Sequence, residues 1–281
     1  MEATVDGATI FYHAVGSAGN YPLIVLHGGP GLDHTEMSPW LDALSDDFYL
    51  IYVDERGQGR SERVDPATLS LARFAEDVTT LAAVLSLSGY AVLGHSFGAM
   101  IALTHAVEKG DASHYIISSG TASFTKSGQE IQENLARFEP VELRELVTQS
   151  WAMEPEVKTE EDCARVMEMQ MPFHFASVTS DAYRRYMAVE DRCIYSPAVL
   201  AYFAANQYSI ELDDRLVSVT KPTLVIAGEF DRTCTVRAAR EIHEGILGSE
   251  LVILPEAGHM TYIEQPALYF AAIRDFFARN K

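Results

Sequence analysis

The sequence predicts an α/β protein, a doubly wound and mostly parallel sheet with a helical cap inserted between core strands. Three observations carry this expectation. Short apolar runs, each closed by glycine or a charged turn, recur along the chain: "PLIVLHGG" (22–29), "YLIYVDERG" (49–57), "YAVLGHS" (90–96), "HYIISSG" (114–120), "PTLVIAGEFD" (222–231) and "ELVILPEAGH" (250–259). Runs this uniformly apolar fit strands buried on both faces. Stretches with helical spacing lie between them. Residues 121–215 break the alternation, with no such run.

The elements follow in order. Asp6-Gly7, between Thr4-Val5 and Ala8-Thr9-Ile10-Phe11-Tyr12, marks a hairpin, because Asp-Gly tolerates the positive φ of a two-residue turn. Leu69 to Leu87 repeats apolar residues at helical spacing, and Phe97 to Glu108 continues as a helix from the corner at Ser96. Val236 to Leu247 and Pro266 to Ala278 give helices after the last two strands. This alternation implies right-handed crossovers. The core is expected over 1–120 and 216–281, and the cap over 121–215. The cap is rich in Met and aromatic residues. Most must pack its own helices. A few should line a pocket, because open α/β sheets bind ligands at the carboxyl ends of their strands, and soft Met side chains suit an adaptable one.

Composition excludes several function classes. The 281 residues carry a formal charge of −19, which repels nucleic acid and anionic membranes. Cys163, Cys193 and Cys234 have neither disulfide-framework nor zinc spacing. The first residues lack a signal-peptide pattern, and no apolar run approaches a membrane span. The expectation is a cytoplasmic protein acting on a small-molecule or short-peptide substrate, without nucleic acid or membrane partners, and with no metal or cofactor. The oligomeric state is not indicated.

Gly94-His95-Ser96-Phe97-Gly98 is G-x-S-x-G between a strand and a helix, the context of a nucleophile elbow. His27-Gly28-Gly29-Pro30-Gly31 follows the strand "PLIVL", where backbone N–H groups can approach a developing oxyanion; it lacks the phosphate-loop pattern. The N–H groups of Gly29 and Phe97 are the expected oxyanion donors. Among nine histidines, His259 alone has the late strand-to-loop position of a catalytic base. Asp231, just past "VIAGEF", is the expected acid, with Glu229 as its neighbour and rival. Ser96, Asp231 and His259 thus stand in the order nucleophile, acid, base. Substrate-binding candidates are His34, Trp151, Met171, Phe173, Tyr202 and Glu211.

These residues resemble the α/β-hydrolase superfamily over essentially the whole chain. His27-Gly28-Gly29-Pro30-Gly31, taken with Asp54-Glu55-Arg56-Gly57-Gln58-Gly59-Arg60-Ser61, looks like the proline iminopeptidase group. The resemblance implies an α/β-hydrolase fold with a helical cap. The second motif is read as a tight turn tied by Asp54 and Arg56. The chain departs from the group in two ways. The nucleophile context is more like that of general esterases. Relatives use a Glu directly after the acid of the triad and another in the cap to bind a substrate amine, whereas Arg232 follows Asp231 and "YFAANQYS" (202–209) has no acid. Glu36, Glu55, Glu190, Asp191, Glu211 and Glu229 are the possible substitutes.

The leading expectation is therefore a cofactor-free serine hydrolase working through an acyl-enzyme, proline iminopeptidase-like. The alternative is a carboxylesterase or lactonase with an apolar acyl pocket. A non-catalytic ligand-binding member of the fold is the third reading, because fold alone does not dictate function. Serine at position 96, rather than aspartate, argues against haloalkane dehalogenase and epoxide hydrolase chemistry.

Overall fold

Asp6 and Gly7 both take positive φ, 44° and 80°. The chain therefore reverses in two residues, and β1 (Glu2–Val5) pairs antiparallel with β2 (Ala8–Val15). The computed structural model describes residues 1–189, 192–206 and 210–280. After the hairpin come β3 (Tyr21–Leu26), β4 (Phe48–Val53), β5 (Ala91–His95), β6 (His114–Ser118), β7 (Thr223–Gly228) and β8 (Glu250–Leu254). They form one sheet in the order β1-β2-β4-β3-β5-β6-β7-β8, and every pairing from β4 onward is parallel. The apolar runs are strands because both faces of the sheet are covered: Leu23 to Leu26, Ala91 to His95 and Thr223 to Gly228 are all buried.

Helices α1 (Leu71–Val84) and α2 (Phe97–Glu108) pack on each other on one face. Ser70 caps α1 by accepting the Arg73 N–H. Between β6 and β7 run α3 (Phe124–Ala136), α4 (Val141–Met153), α5 (Glu160–His174), α6 (Asp181–Met187) and α7 (Pro197–Ala205). Thr159 and Asp162 form a reciprocal capping box at the start of α5. The Ser196 N–H, donating to Gly31 O at 2.8 Å, ties this helical segment to the loop after β3, and the Phe124 N–H, donating to Ile210 O at 2.9 Å, joins the two ends of the segment. Helices α8 (Val236–Gly245), α9 (Thr261–Glu264) and α10 (Pro266–Arg279) complete the chain. Among the described residues no helix is long and apolar enough to cross a membrane.

The turn after β4 differs from expectation. Asp54 does tie its loop, accepting the Arg60 N–H at 2.7 Å and the His34 N–H at 2.8 Å. Arg56 instead leaves the turn. Its guanidinium grips Asp77 on α1 with two bonds of 2.6 and 2.7 Å and donates to Val5 O at 2.8 Å. A planar two-pronged donor matches a carboxylate edge, so Arg56 fastens α1 to β1 rather than closing its own loop.

Candidate active site

β5 delivers the chain to Ser96, whose φ is 53° and ψ −114°. Such a conformation strains any residue with a side chain and needs surrounding structure to hold it. The Ser96 N–H donates to Ser118 O on β6 at 3.0 Å. The glycines give the rest of the hold. A Cβ at Gly94 would overlap the Gly98 carbonyl, and one at Gly98 would overlap the Leu26 and His27 carbonyls. α2 therefore starts directly after Ser96, pressed against the end of β3. Its first-turn amides and positive dipole end lie at Ser96.

Asp231 lies past β7 and His259 past β8. His259 Nδ1 sits 2.8 Å from Asp231 Oδ2, and both side chains are buried. The other carboxylate oxygen of Asp231 accepts the N–H groups of Thr233 and Cys234, each at 2.9 Å, and the Thr233 hydroxyl at 2.9 Å. Burial favours a neutral Asp231, but the His259 charge and these donors outweigh it and hold the carboxyl below its ordinary range. Burial likewise opposes a charged His259, yet the Asp231 carboxylate prevails and raises the imidazole pKa above its ordinary 6.5. The rings of His95 and His174 lie 4.9 and 5.1 Å from the His259 ring. Both are kept neutral by burial and by His259, His174 being pushed down to about 3. Glu229 is exposed and accepts the Glu256 N–H, so it faces away from this centre.

The glycine-rich loop after β3 is held from three sides. The His27 N–H donates to Glu55 Oε1 at 3.1 Å, and the His27 ring is paired with the same buried carboxylate. Burial lowers the pKa of that ring, but Glu55 raises it further, to about 9. Ring Nδ1 lies 2.7 Å from Gly28 O, and the Gly28 N–H donates to Glu36 Oε2 at 2.6 Å. Gly29 has φ 108°, a region that favours glycine.

Ser96, His259, Thr233 and Gly29 line one cavity of about 390 Å³. Its wall is largely apolar, including Leu32, Phe124, Ile131, Trp151, Met167 and Met171. Two carboxylates interrupt it, Glu36 from the core and Glu154 from the end of α4. Burial pushes Glu154 up to about 7 against a bond from Gln170 Nε2 of 2.6 Å. Burial also raises Glu36, against its bond from Gly28. Among the described residues lining the cavity there is no Lys or Arg. An adjoining cavity of about 270 Å³ shares Leu32, Glu36, Met167, Met171 and Tyr186 with it.

Of the expected pocket residues, Trp151 and Met171 line this cavity and four do not. His34 is buried in the loop network, its Nδ1 2.6 Å from Asp54 Oδ1. Phe173 is fully buried, edge-on to both Phe138 and Trp151. Tyr202 and Glu211 border a separate pocket beside α1, where Glu211 accepts Ser123 Oγ at 2.6 Å and the Thr125 N–H at 2.9 Å. Helical sequence alone does not separate the face turned to a cavity from the face turned to a neighbouring helix. Asp33, His34 and Asp54 lie close enough to suit a cation, but bonds from Thr35, Arg60, Ile194 and His34 occupy their carboxylates. Glu190 and Asp191 lie outside the described residues. Arg232, directly after Asp231, donates to Phe173 O at 3.2 Å and Phe175 O at 2.7 Å, fastening the end of α5.

Thr233, Glu154, Gln170 and Met167 went unread as site residues. Thr233 had a signal, since Asp-x-Thr is a turn in which the carboxylate takes both the amide and the hydroxyl two residues on. Glu154 had none, standing in an acidic stretch with Glu156, Glu160 and Glu161.

A family model described as the alpha/beta hydrolase family matches residues 23–272. The proline iminopeptidase of Saccharolobus solfataricus is 25% identical over 97% of this chain and 90% of its own length. That of Heyndrickxia coagulans is 28% identical over 92% and 91%. Among solved structures, an alpha/beta fold hydrolase from Bacillus anthracis superposes with a TM-score of 0.82 at 18% identity, covering 98% of each chain.

Proposed function

The chain belongs to the alpha/beta hydrolase family and is a hydrolase of that fold, and from this premise we propose that it is a cofactor-free serine hydrolase that removes an N-terminal residue from a short peptide. His259, held by Asp231 and lining one cavity with Ser96, carries the reading. Ser96 Oγ attacks the acyl carbon as His259 takes its proton. Asp231 fixes the tautomer and stabilises the imidazolium. The Gly29 and Phe97 N–H groups receive the oxyanion, and His259 then protonates the leaving amine. Water, deprotonated by His259, attacks the acyl-enzyme and releases the acyl group with Ser96 restored. The amide-cleaving form is supported by the named relatives and by Glu154, a carboxylate in a cavity with no Lys or Arg among its described lining residues. A protonated substrate amine is the natural counter-charge for it. The broad apolar wall supports a second reading, cleavage of an ester or lactone with an apolar acyl group.

The test pairs a fluorophosphonate probe with substrates. Wild type labels, and Ser96→Ala does not; equal labelling of both sinks the nucleophile. A prolyl arylamide is then compared with its N-acetylated form and with an acyl ester. The peptidase reading expects the free amine to be preferred, and Glu154→Gln to raise KM for it by about tenfold, the size of a lost hydrogen bond to a charged group. Indifference to acetylation, with rapid ester turnover, selects the second reading.

A further inference from the structure

We propose that Glu36 is a positioning residue for the oxyanion loop, fixing from the cavity wall the His27–Gly28 peptide, directly before the one that presents the Gly29 N–H. This rests on the serine-hydrolase reading above. The loop has two adjacent glycines, so its own backbone imposes little on the direction of its N–H groups. External bonds must supply it. Glu36 Oε2 takes the Gly28 N–H at 2.6 Å and so fixes the His27–Gly28 peptide. The His27 ring, 2.7 Å from Gly28 O, fixes the next one. A trans peptide points its C=O and N–H in opposite directions. Holding the Gly28 carbonyl on one side therefore sends the Gly29 N–H to the other.

Glu36 is itself held. Tyr262 OH donates to its main-chain oxygen at 3.3 Å and lies 3.4 Å from Oε1. The same carboxylate lies 3.9 Å from His95 Nε2, a buried nitrogen with no hydrogen-bond partner among the described residues, and His95 directly precedes Ser96. Glu36 thus stands between both cavities, the glycine loop and the nucleophile corner. A Cβ at Gly28 would lie 2.8 Å from Glu36 Oε1, so the carboxylate and the loop are fitted to each other. A mere wall residue would need none of these bonds.

The discriminating measurement uses the full chain and a fluorophosphonate probe that carries no amine, so binding of a substrate amine does not enter. The phosphonyl oxygen uses the same donors as an acyl oxyanion. Glu36→Gln keeps an acceptor of the same shape and is expected to label within about threefold of wild type. Glu36→Met keeps the length without the acceptor, and should label about 10²-fold more slowly, the lower end for loss of one oxyanion donor. With an acyl ester the loss should fall on kcat and leave KM nearly unchanged. Tyr262→Phe, which loosens Glu36 without removing it, should give an intermediate loss and serves where Glu36→Met does not fold. Labelling of Glu36→Met at the wild-type rate overturns the proposal, as does Glu36→Gln falling as far as Glu36→Met. Failure of wild type to label overturns the serine-hydrolase reading instead.

Discussion

His259 can act as a base only while its imidazole is neutral, and its surroundings decide the pH at which that holds. Burial alone would shed the proton early. The Asp231 carboxylate at 2.8 Å reverses this and raises the pKa above 6.5. The sign is therefore definite: a raised pKa keeps the proton to higher pH, and the base is lost as pH falls through that value. The acid limb of kcat/KM should have its midpoint above 6.5. In Asp231→Asn the largest attraction is gone and only the weaker pull of Glu36 and Glu264 opposes burial, so the midpoint should move down. kcat should also fall on the order of 10⁴-fold, because the tautomer is no longer held. Rate profiles of both proteins between about pH 5 and pH 9 measure this. Coincident midpoints would show that Asp231 does not govern His259.

Elements bring these residues together, and here the division between legible and illegible is physical. Ser96, His27, Asp231 and His259 all follow strands that run the same way, so one sheet edge collects them. β3 to β7 are legible because burial on both faces demands continuous apolar runs. The hairpin is legible because its Asp-Gly turn needs positive φ. The cavity wall is less so. Trp151 and Phe173 are both aromatic and stand on neighbouring helices, but α4 turns Trp151 to the cavity while α5 buries Phe173 among other rings. Arg56 shows the same limit, since its position in a turn motif says nothing of Asp77, 21 residues on. The structure makes it a joint between elements. Arg56→Met should leave Asp77 buried with only the Arg73 bond of 2.6 Å. The expected loss is about 3 kcal/mol, the low end for breaking a buried pair, because one cation remains. Denaturant unfolding checks it. A loss within about 0.5 kcal/mol, ordinary for a surface substitution, would place the pair among the dispensable ones.

At the scale of the whole molecule, the −19 charge and the cavity act in the same sense. Exposed carboxylates set up a long-range negative field, and above about pH 7, where it is ionised, Glu154 continues that sign into the cavity. Such a field gathers cations and repels anions. Salt separates its long-range part from the local part, because charges beyond about 8 Å are largely screened at physiological ionic strength. A bond to Glu154 inside the cavity is screened far less. For a free-amine arylamide, KM should therefore rise about threefold between roughly 0.02 M and 0.5 M salt through loss of the long-range attraction. A neutral acyl ester should show no such rise, and an arylamide carrying an added carboxylate should show the opposite slope. With Glu154→Gln the salt slope should survive while KM is already high, since the global field remains. If the slope vanishes with Glu154 alone, the attraction is local and the surface charge contributes nothing to capture. Equal slopes for the amine and the neutral ester would instead mark a salt effect on the fold and remove electrostatics from the account of substrate choice.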